Sequence, residues 1–155
     1  MKDEREKAKR SVALNRKAHF NYQLEERFEA GLVLMGTEVK SLRLGRANIQ
    51  DAFARVYQGE LWLYNAFIPE YTQGNRNNHE PTRPRKLLLQ ARQIKKLLGF
   101  LKNKGVTLVP LSIYFSKGGY AKVELAVGHG KKEYEKREVI KQRDWKREQS
   151  RLMKN

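Results

Sequence analysis

Two runs of alternating residues on either side of Gly118-Gly119 constrain this chain more than any other feature. Thr107 to Phe115 reads TLVPLSIYF and puts Thr107, Val109, Leu111, Ile113 and Phe115 on one face. Ala121 to Val127 reads AKVELAV and alternates Ala121, Val123, Leu125 and Val127 against Lys122, Glu124 and Ala126. Side chains of a strand point to opposite faces in turn, so a period of two predicts a half-buried strand, and Gly-Gly between two such runs predicts a hairpin. Pro110 has no N–H to give to a ladder and predicts an edge or a bulge. A second hairpin is predicted where Asp51–Tyr57 and Glu60–Ala66 flank Gln58-Gly59. His19–Leu24, Ala30–Leu34 and Lys86–Leu89 are further strand candidates. Several short strands with tight turns predict a mainly β fold, a small barrel or sandwich.

One helix is well specified, over about 92–104. Ile94, Leu97, Leu98 and Leu101 recur at i, i+3, i+4 and i+7, a stripe that covers one end or side of the sheet, and Gly105 stands where a C-terminal cap is expected. A shorter helix fits 38–44, between Gly36 and Gly45. Tyr71–Arg85, rich in Asn, Gly, Pro and Arg, predicts a loop. The ends differ from this body. Residues 1–14 form a charged leader, 15–130 the patterned domain, and 131–155 a basic tail without Pro or Gly. Few large apolar side chains punctuate the tail and they form no stripe, so the expectation is disorder in the free protein and helix on a phosphate-rich partner.

Charge decides the class of partner. Lys and Arg number 33 against 17 Asp and Glu, a net +16. Of this, Met1–Lys17 carries +4 and Lys131–Asn155 carries +5, which leaves +7 on residues 18–130. A domain this basic in its own right attracts polyphosphates. The chain has no cysteine, so disulfides and thiolate zinc sites are excluded. His19, His79 and His129 have no metal-ligand spacing, and no cofactor or metal is expected. His79-Glu80 lies in a loop without partner motifs, and a solvated pair is expected rather than an acid–base site. GHGKKEYEK lacks the spacing and the Ser/Thr of a phosphate-binding loop. Nothing here makes an enzyme. No apolar run approaches a membrane span and the start lacks the apolar stretch of a signal peptide, so a cytoplasmic protein without a membrane partner is expected. Rings and cations interleave at Phe20, Tyr22, Phe53, Arg55, Tyr57, Tyr114, Phe115, Lys117, Tyr120 and Lys122, a combination suited to stacking on unpaired bases while cations meet phosphates. The strand phase of Phe53 and Phe115 predicts that these two are core.

These stretches fall in a recognisable order. NRKAHFNY (15–22), FEAGLVLMGTEVKSLRLGRANIQDAF (28–53), RPRKLLLQ (83–90), KGVTLVPLSIYF (104–115), GYAKVELAVGHGKKEYEKRE (119–138) and the closing RLMKN resemble the SsrA-binding protein (small protein B) family over nearly the whole chain. The resemblance implies an oligonucleotide-binding-type antiparallel β-barrel with a flanking helix. It implies a monomer that binds the transfer-like domain of transfer-messenger RNA, reaches the decoding centre of the ribosomal small subunit, and meets elongation factor Tu indirectly through the charged RNA. That activity is trans-translation: rescue of stalled ribosomes and tagging of incomplete products.

By motif, the RNA-facing residues implied are Arg16, Lys17, His19, Glu29, Lys40, Leu88, Gln90 and Lys122, with Lys131 and Lys132 at the start of the tail. Gln90 stands where other members carry Asn or His. The tail residues implied for the decoding centre and messenger channel are Tyr134, Glu135, Lys136, Arg137, Arg143, Lys146, Arg147, Leu152 and Met153. Glu135 replaces the more usual Asp, and Tyr134 a ring that is His in some members. A generic oligonucleotide-binding-fold protein for single strands, with the tail as a non-specific anchor, is the alternative.

Overall fold

The computed structural model describes residues 11–73, 77–130 and 133–154. Seven strands form one antiparallel sheet: β1 (Ser11–Leu14), β2 (Tyr22–Leu32), β3 (Phe53–Tyr57), β4 (Glu60–Tyr64), β5 (Arg85–Leu88), β6 (Val106–Phe115) and β7 (Ala121–Gly130). The order is β1-β6-β3-β4-β5-β2-β7, and β7 also pairs with β6, so β2 to β7 close into a six-stranded barrel. The ends of β6 are shared along one edge: Leu108 pairs with Ala54 of β3, while Ser112–Tyr114 pair with β1. This is the expected small oligonucleotide-binding-type barrel. Its helices are α1 (Ala18–Asn21), α2 (Gly36–Arg43), α3 (Ala91–Leu101) and α4 (Glu133–Lys154).

Both predicted hairpins form. Gln58 and Gly59 take φ of 52° and 77°, the double positive φ of a two-residue turn whose twist matches its strands. The predicted bulge at Pro110 also forms, between Pro110 and Ser112, and it changes which residues face inward. Leu108 and Ile113 enter the barrel core with Phe28, Ala30, Leu61, Leu63, Leu87, Leu97, Val123, Leu125 and Val127. Val109 and Leu111 instead join Ala18 and Ala126 in a second cluster, with Tyr22 and Leu24 packed against it. The single face drawn from Thr107 to Phe115 is therefore broken, because an inserted residue reverses the strand's phase.

Three secondary-structure expectations are corrected. The residues of β1 belong to the sheet, although the sequence analysis puts them in the charged leader; SVAL is too short to show a period. His19 lies in the helical turn α1 and not in a strand. Its neighbours Tyr22–Leu32 make one continuous strand, which the charged run Glu25-Glu26-Arg27 disguised and which is irregular between Leu24 and Arg27. The tail forms a helix over Glu133–Lys154 in this structure, 22 residues of strong helix formers, the form that the sequence analysis expects on a phosphate-rich partner.

The short helix α2 starts two residues earlier than expected, and its Glu38 is fully buried. Its Oε1 accepts the Met35 N–H at 2.9 Å and the Arg83 Nε–H at 3.0 Å, and the Arg83 Nη2 also donates to it. Oε2 accepts from Arg85 Nε at 2.5 Å. Arg85, also fully buried, uses its other nitrogens to donate to the carbonyls of Ala66 and Pro81. Arg83 and Arg85 thus tie the chain at the start of β5 to α2 and to the segment just after β4. His79, expected in solvent, is buried in the same region, with Nε2 2.8 Å from the Ile68 carbonyl and Nδ1 2.8 Å from the Thr37 hydroxyl. Only a donor suits the carbonyl, so Nε2 carries a proton and donates to Ile68.

Burial alone would raise the Glu38 pKa, but the hydrogen bonds from Arg83, the Met35 N–H and Arg85, with the charge of Arg85, outweigh it and hold the carboxyl below its ordinary range. A carboxyl depressed in the folded state adds stability above its unfolded pKa of about 4.3 and loses it as pH falls through the folded value. Glu38→Gln is expected to cost about 3–5 kcal/mol, since it leaves two guanidiniums around a neutral amide. It also removes part of the acid-side fall in stability; urea denaturation from neutral pH down to pH 3 measures both.

Candidate nucleic-acid interface

Antiparallel register assembles one outward face. Gly31 of β2 stands between Leu88 of β5 and Lys122 of β7, and Lys122 stands opposite Tyr114 of β6. Leu88, Gly31, Lys122 and Tyr114 therefore form a row across four strands. The adjacent row holds Glu29, Glu124, Ser112 and Leu14, on β2, β7, β6 and β1. Their sequence neighbours Ala30, Val123, Leu125 and Ile113 point into the core, which fixes the rows on the outside. Leu88 is 52% exposed, an apolar side chain presented to the surface. A Cβ on Gly31 would meet the Leu88 Cβ at 3.3 Å, so the glycine of the EAG motif leaves room for Leu88 beside β2.

The acids on this face are individually held. The Tyr114 hydroxyl donates to Glu29 Oε2, and Arg27 Nη1 donates to Glu124 Oε1 at 3.4 Å. Tyr114 is 5% exposed. Burial, then the hydrogen bond and charge of Glu29, then the charge of Glu124, push its pKa far above the usual tyrosine value near 10. The phenol stays a donor and Glu29 stays an oriented acceptor. A carboxylate accepts from the amino edges of guanine or cytosine, which phosphate-binding lysines cannot do.

His19 and Arg16 border the same face. With Leu14, Asn15, Arg27, Leu111, Ser112 and Glu124 they line a cavity of about 270 Å³. Asn15 holds this corner to the bulge of β6: its N–H donates to the Leu111 carbonyl at 2.8 Å and its Nδ2 to the Pro110 carbonyl at 3.0 Å. Lys17 is exposed immediately before α1. Gln90, at the N-cap of α3, donates its N–H to Gln93 Oε1 at 3.3 Å and accepts from Arg92 Nε at 3.2 Å. Lys40 lies outside the strand rows, on α2, with its ammonium 5.6 Å from the centre of the Tyr71 ring.

On the tail helix, Arg143 sits 6.0 Å from the centre of the Phe20 ring, which brings α4 against α1. Lys146 and Arg147 are exposed, and Leu152 is 77% exposed. Tyr134, Glu135, Lys136 and Arg137 lie on the first turns of α4, Met153 on its last, and their side chains fall outside what is described; Lys131 and Lys132 lie outside the described residues. Among the described residues no group of three or more His, Cys, Asp or Glu is placed to hold a metal, and no helix is long and apolar enough to cross a membrane.

Sequence reasoning placed Tyr114 among the stacking rings, whereas the structure makes it the partner of Glu29. The signal was the phase of β6 after the bulge, which sets Tyr114 beside Lys122. Gly31, Arg27 and Asn15 were missed as members of the site.

Comparison with known proteins extends this geometry. The sequence profile described as SmpB protein matches residues 12–155. An SsrA-binding protein of Bradyrhizobium diazoefficiens is 54% identical over 154 residues, covering 99% of this chain and 98% of the relative. One from Sphingomonas elodea is 58% identical over 146 residues, covering 94% and 91%. A chain of a solved structure reported as "tmRNA-SmpB: a journey to the center of the bacterial ribosome" is similar at 49% identity and a TM-score of 0.66, over 77% of this chain and 84% of that one.

A phenol whose pKa is raised on folding adds stability that is complete below pH 10 and declines as pH climbs above it. Tyr114→Phe is expected to lower stability by about 1–2 kcal/mol at neutral pH, the worth of a hydrogen bond to a charged acceptor. The difference from the parent narrows above pH 10, as urea denaturation across pH 7–11 reads out.

Proposed function

This chain belongs to the SmpB family of SsrA-binding proteins, and on that premise we propose that it binds transfer-messenger RNA and delivers it to stalled ribosomes in trans-translation. The observation that carries the reading is the match of a single family over residues 12–155, which spans the barrel and the tail together. A single-strand binder needs no such tail.

Within this reading the β2–β7 face holds the transfer-like domain. Glu29 reads a base edge, Lys122, Arg16, Lys17 and His19 meet phosphate and sugar, and Leu88 packs on a ribose or base. Gln90 and Lys40 extend the contact along α3 and α2. The co-location of Leu88, Lys122 and Glu29 in two adjacent rows supports this division. Lys131 and Lys132 continue the contact toward the tail. There Tyr134, Glu135, Lys136 and Arg137 meet the decoding centre, Arg143, Lys146 and Arg147 follow the messenger channel, and Leu152 and Met153 anchor the helix. Elongation factor Tu is reached only through the charged RNA. The protein works as a cytoplasmic monomer that binds and orients, without catalysis. The buried His79, engaged at both ring nitrogens, supports that reading against an acid–base pair with Glu80.

Truncation after Gly130 tests the division of labour. Binding of the isolated transfer-like domain is expected to stay within about threefold, while tagging on stalled ribosomes is lost. Equal affinity for poly-U and for the folded RNA would favour the single-strand alternative. Tyr134→Ala is expected to slow tagging in a reconstituted reaction and to leave RNA affinity unchanged.

A further inference from the structure

Strand order puts a second aromatic and basic surface on the far side of the barrel. Around the ring the strands run β6, β3, β4, β5, β2, β7, so each strand of the β3–β4 hairpin stands three places from a strand of the β2–β7 pair. The outward residues of the hairpin are Phe53, Arg55 and Tyr57 on β3 and Glu60, Trp62 and Tyr64 on β4, because Ala54, Leu61 and Leu63 enter the core. Phe53 and Tyr64 stack with ring centres 5.6 Å apart and planes inclined by 21°. The Arg55 guanidinium lies 5.3 Å from the centre of the Phe53 ring. Tyr57 is 58% exposed at the turn.

Beside Phe53 and Arg55 a groove of about 340 Å³ opens between β3 and α3, with Leu98, Leu101 and Val106 in its lining. It exists because β3 meets β6 at a single register pair, Ala54 with Leu108. Leu98, on the stripe that covers one end or side of the sheet, is 38% exposed at this groove. The hairpin's one outward acid, Glu60, is paired with Lys86 at 3.1 Å, so the local charge is set by Arg55 and by exposed Lys102 and Lys104, which flank the groove residues Leu101 and Val106 in the chain.

Flat rings interleaved with cations fit unpaired nucleotides: bases stack on the rings without regard to sequence, and the cations neutralise the phosphates between them. We propose that the outer face of β3–β4, with the adjoining groove, is a second RNA-docking surface that takes single-stranded nucleotides by stacking on Tyr57 and on the Phe53–Tyr64 pair. It lies opposite the β2–β7 rows, so one barrel engages two RNA segments at once. This goes beyond the proposed function, which uses only the first face and the tail.

The test starts from the full chain saturated with the transfer-like domain, to which a labelled oligouridine is added and followed by fluorescence anisotropy. The complex is expected to bind the oligouridine. The R55A/Y57A variant, altered at two exposed positions, is expected to bind it about tenfold or more weakly, with unchanged melting temperature and unchanged affinity for the transfer-like domain. A complex that excludes oligouridine, or a variant that binds it like the parent, overturns the proposal. So does equally tight binding of an RNA duplex of the same length, which offers phosphates but no open base faces. So does a variant that loses a ribosomal protein while keeping oligouridine. If the transfer-like domain itself does not bind, the proposed function fails separately, and titrating oligouridine into the chain alone, parent against R55A/Y57A, still decides this proposal.

Discussion

Closure of the barrel through β6–β7 is the constraint on which the rest of this structure depends. The ten-residue strand β6 pairs with β7 along one edge and with both β3 and β1 along the other, so β1, β3 and, through β7, β2 take their register from one hairpin. Once the sheet is closed, each of β2–β7 has an inside and an outside, and a change of face needs an extra residue. The bulge at Pro110 is such a change. It sends Val109 and Leu111 outward to meet Ala18 and Ala126, which seats α1 and with it His19 against the barrel wall.

A second constraint comes from one buried carboxylate. Glu38 gathers the Met35 N–H and the guanidiniums of Arg83 and Arg85, and Arg85 in turn caps the carbonyls of Ala66 and Pro81. An unpaired guanidinium at zero exposure would be prohibitively costly, so the acid and its two arginines are held as a unit. Their position at the start of β5 carries Leu88 to its place beside Gly31. A chain with net +16 thus uses an acid inside to set out the surface row of Leu88, Gly31 and Lys122.

The same logic explains acids on a basic face. Phosphate contacts hold a nucleic acid in place but carry no sequence information, and a lysine-only surface would bind any RNA. Glu29, oriented by the deeply buried Tyr114 hydroxyl, adds a directional acceptor among the cations. The chain belongs to the SmpB family, and the helix α4 gives the barrel a second, extended basic element.

Local chemistry was legible in the chain by itself. The hairpins at Gln58-Gly59 and Gly118-Gly119, the bulge at Pro110 and the helix carrying Ile94, Leu97 and Leu101 all follow from period, turn residues and a missing N–H, which act within a few positions. The family motifs located Glu29, Leu88 and Lys122 as a set, but composition and spacing did not say what joins them. Tertiary structure alone decided that β1 belongs to the sheet, that β2 runs unbroken through Glu25-Glu26-Arg27, and that His79 is buried. It alone paired Tyr114 with Glu29, 85 residues away. Such partners are set by register across a closed barrel, and register depends on every strand at once, whereas a turn or a helix depends only on its neighbours in the chain.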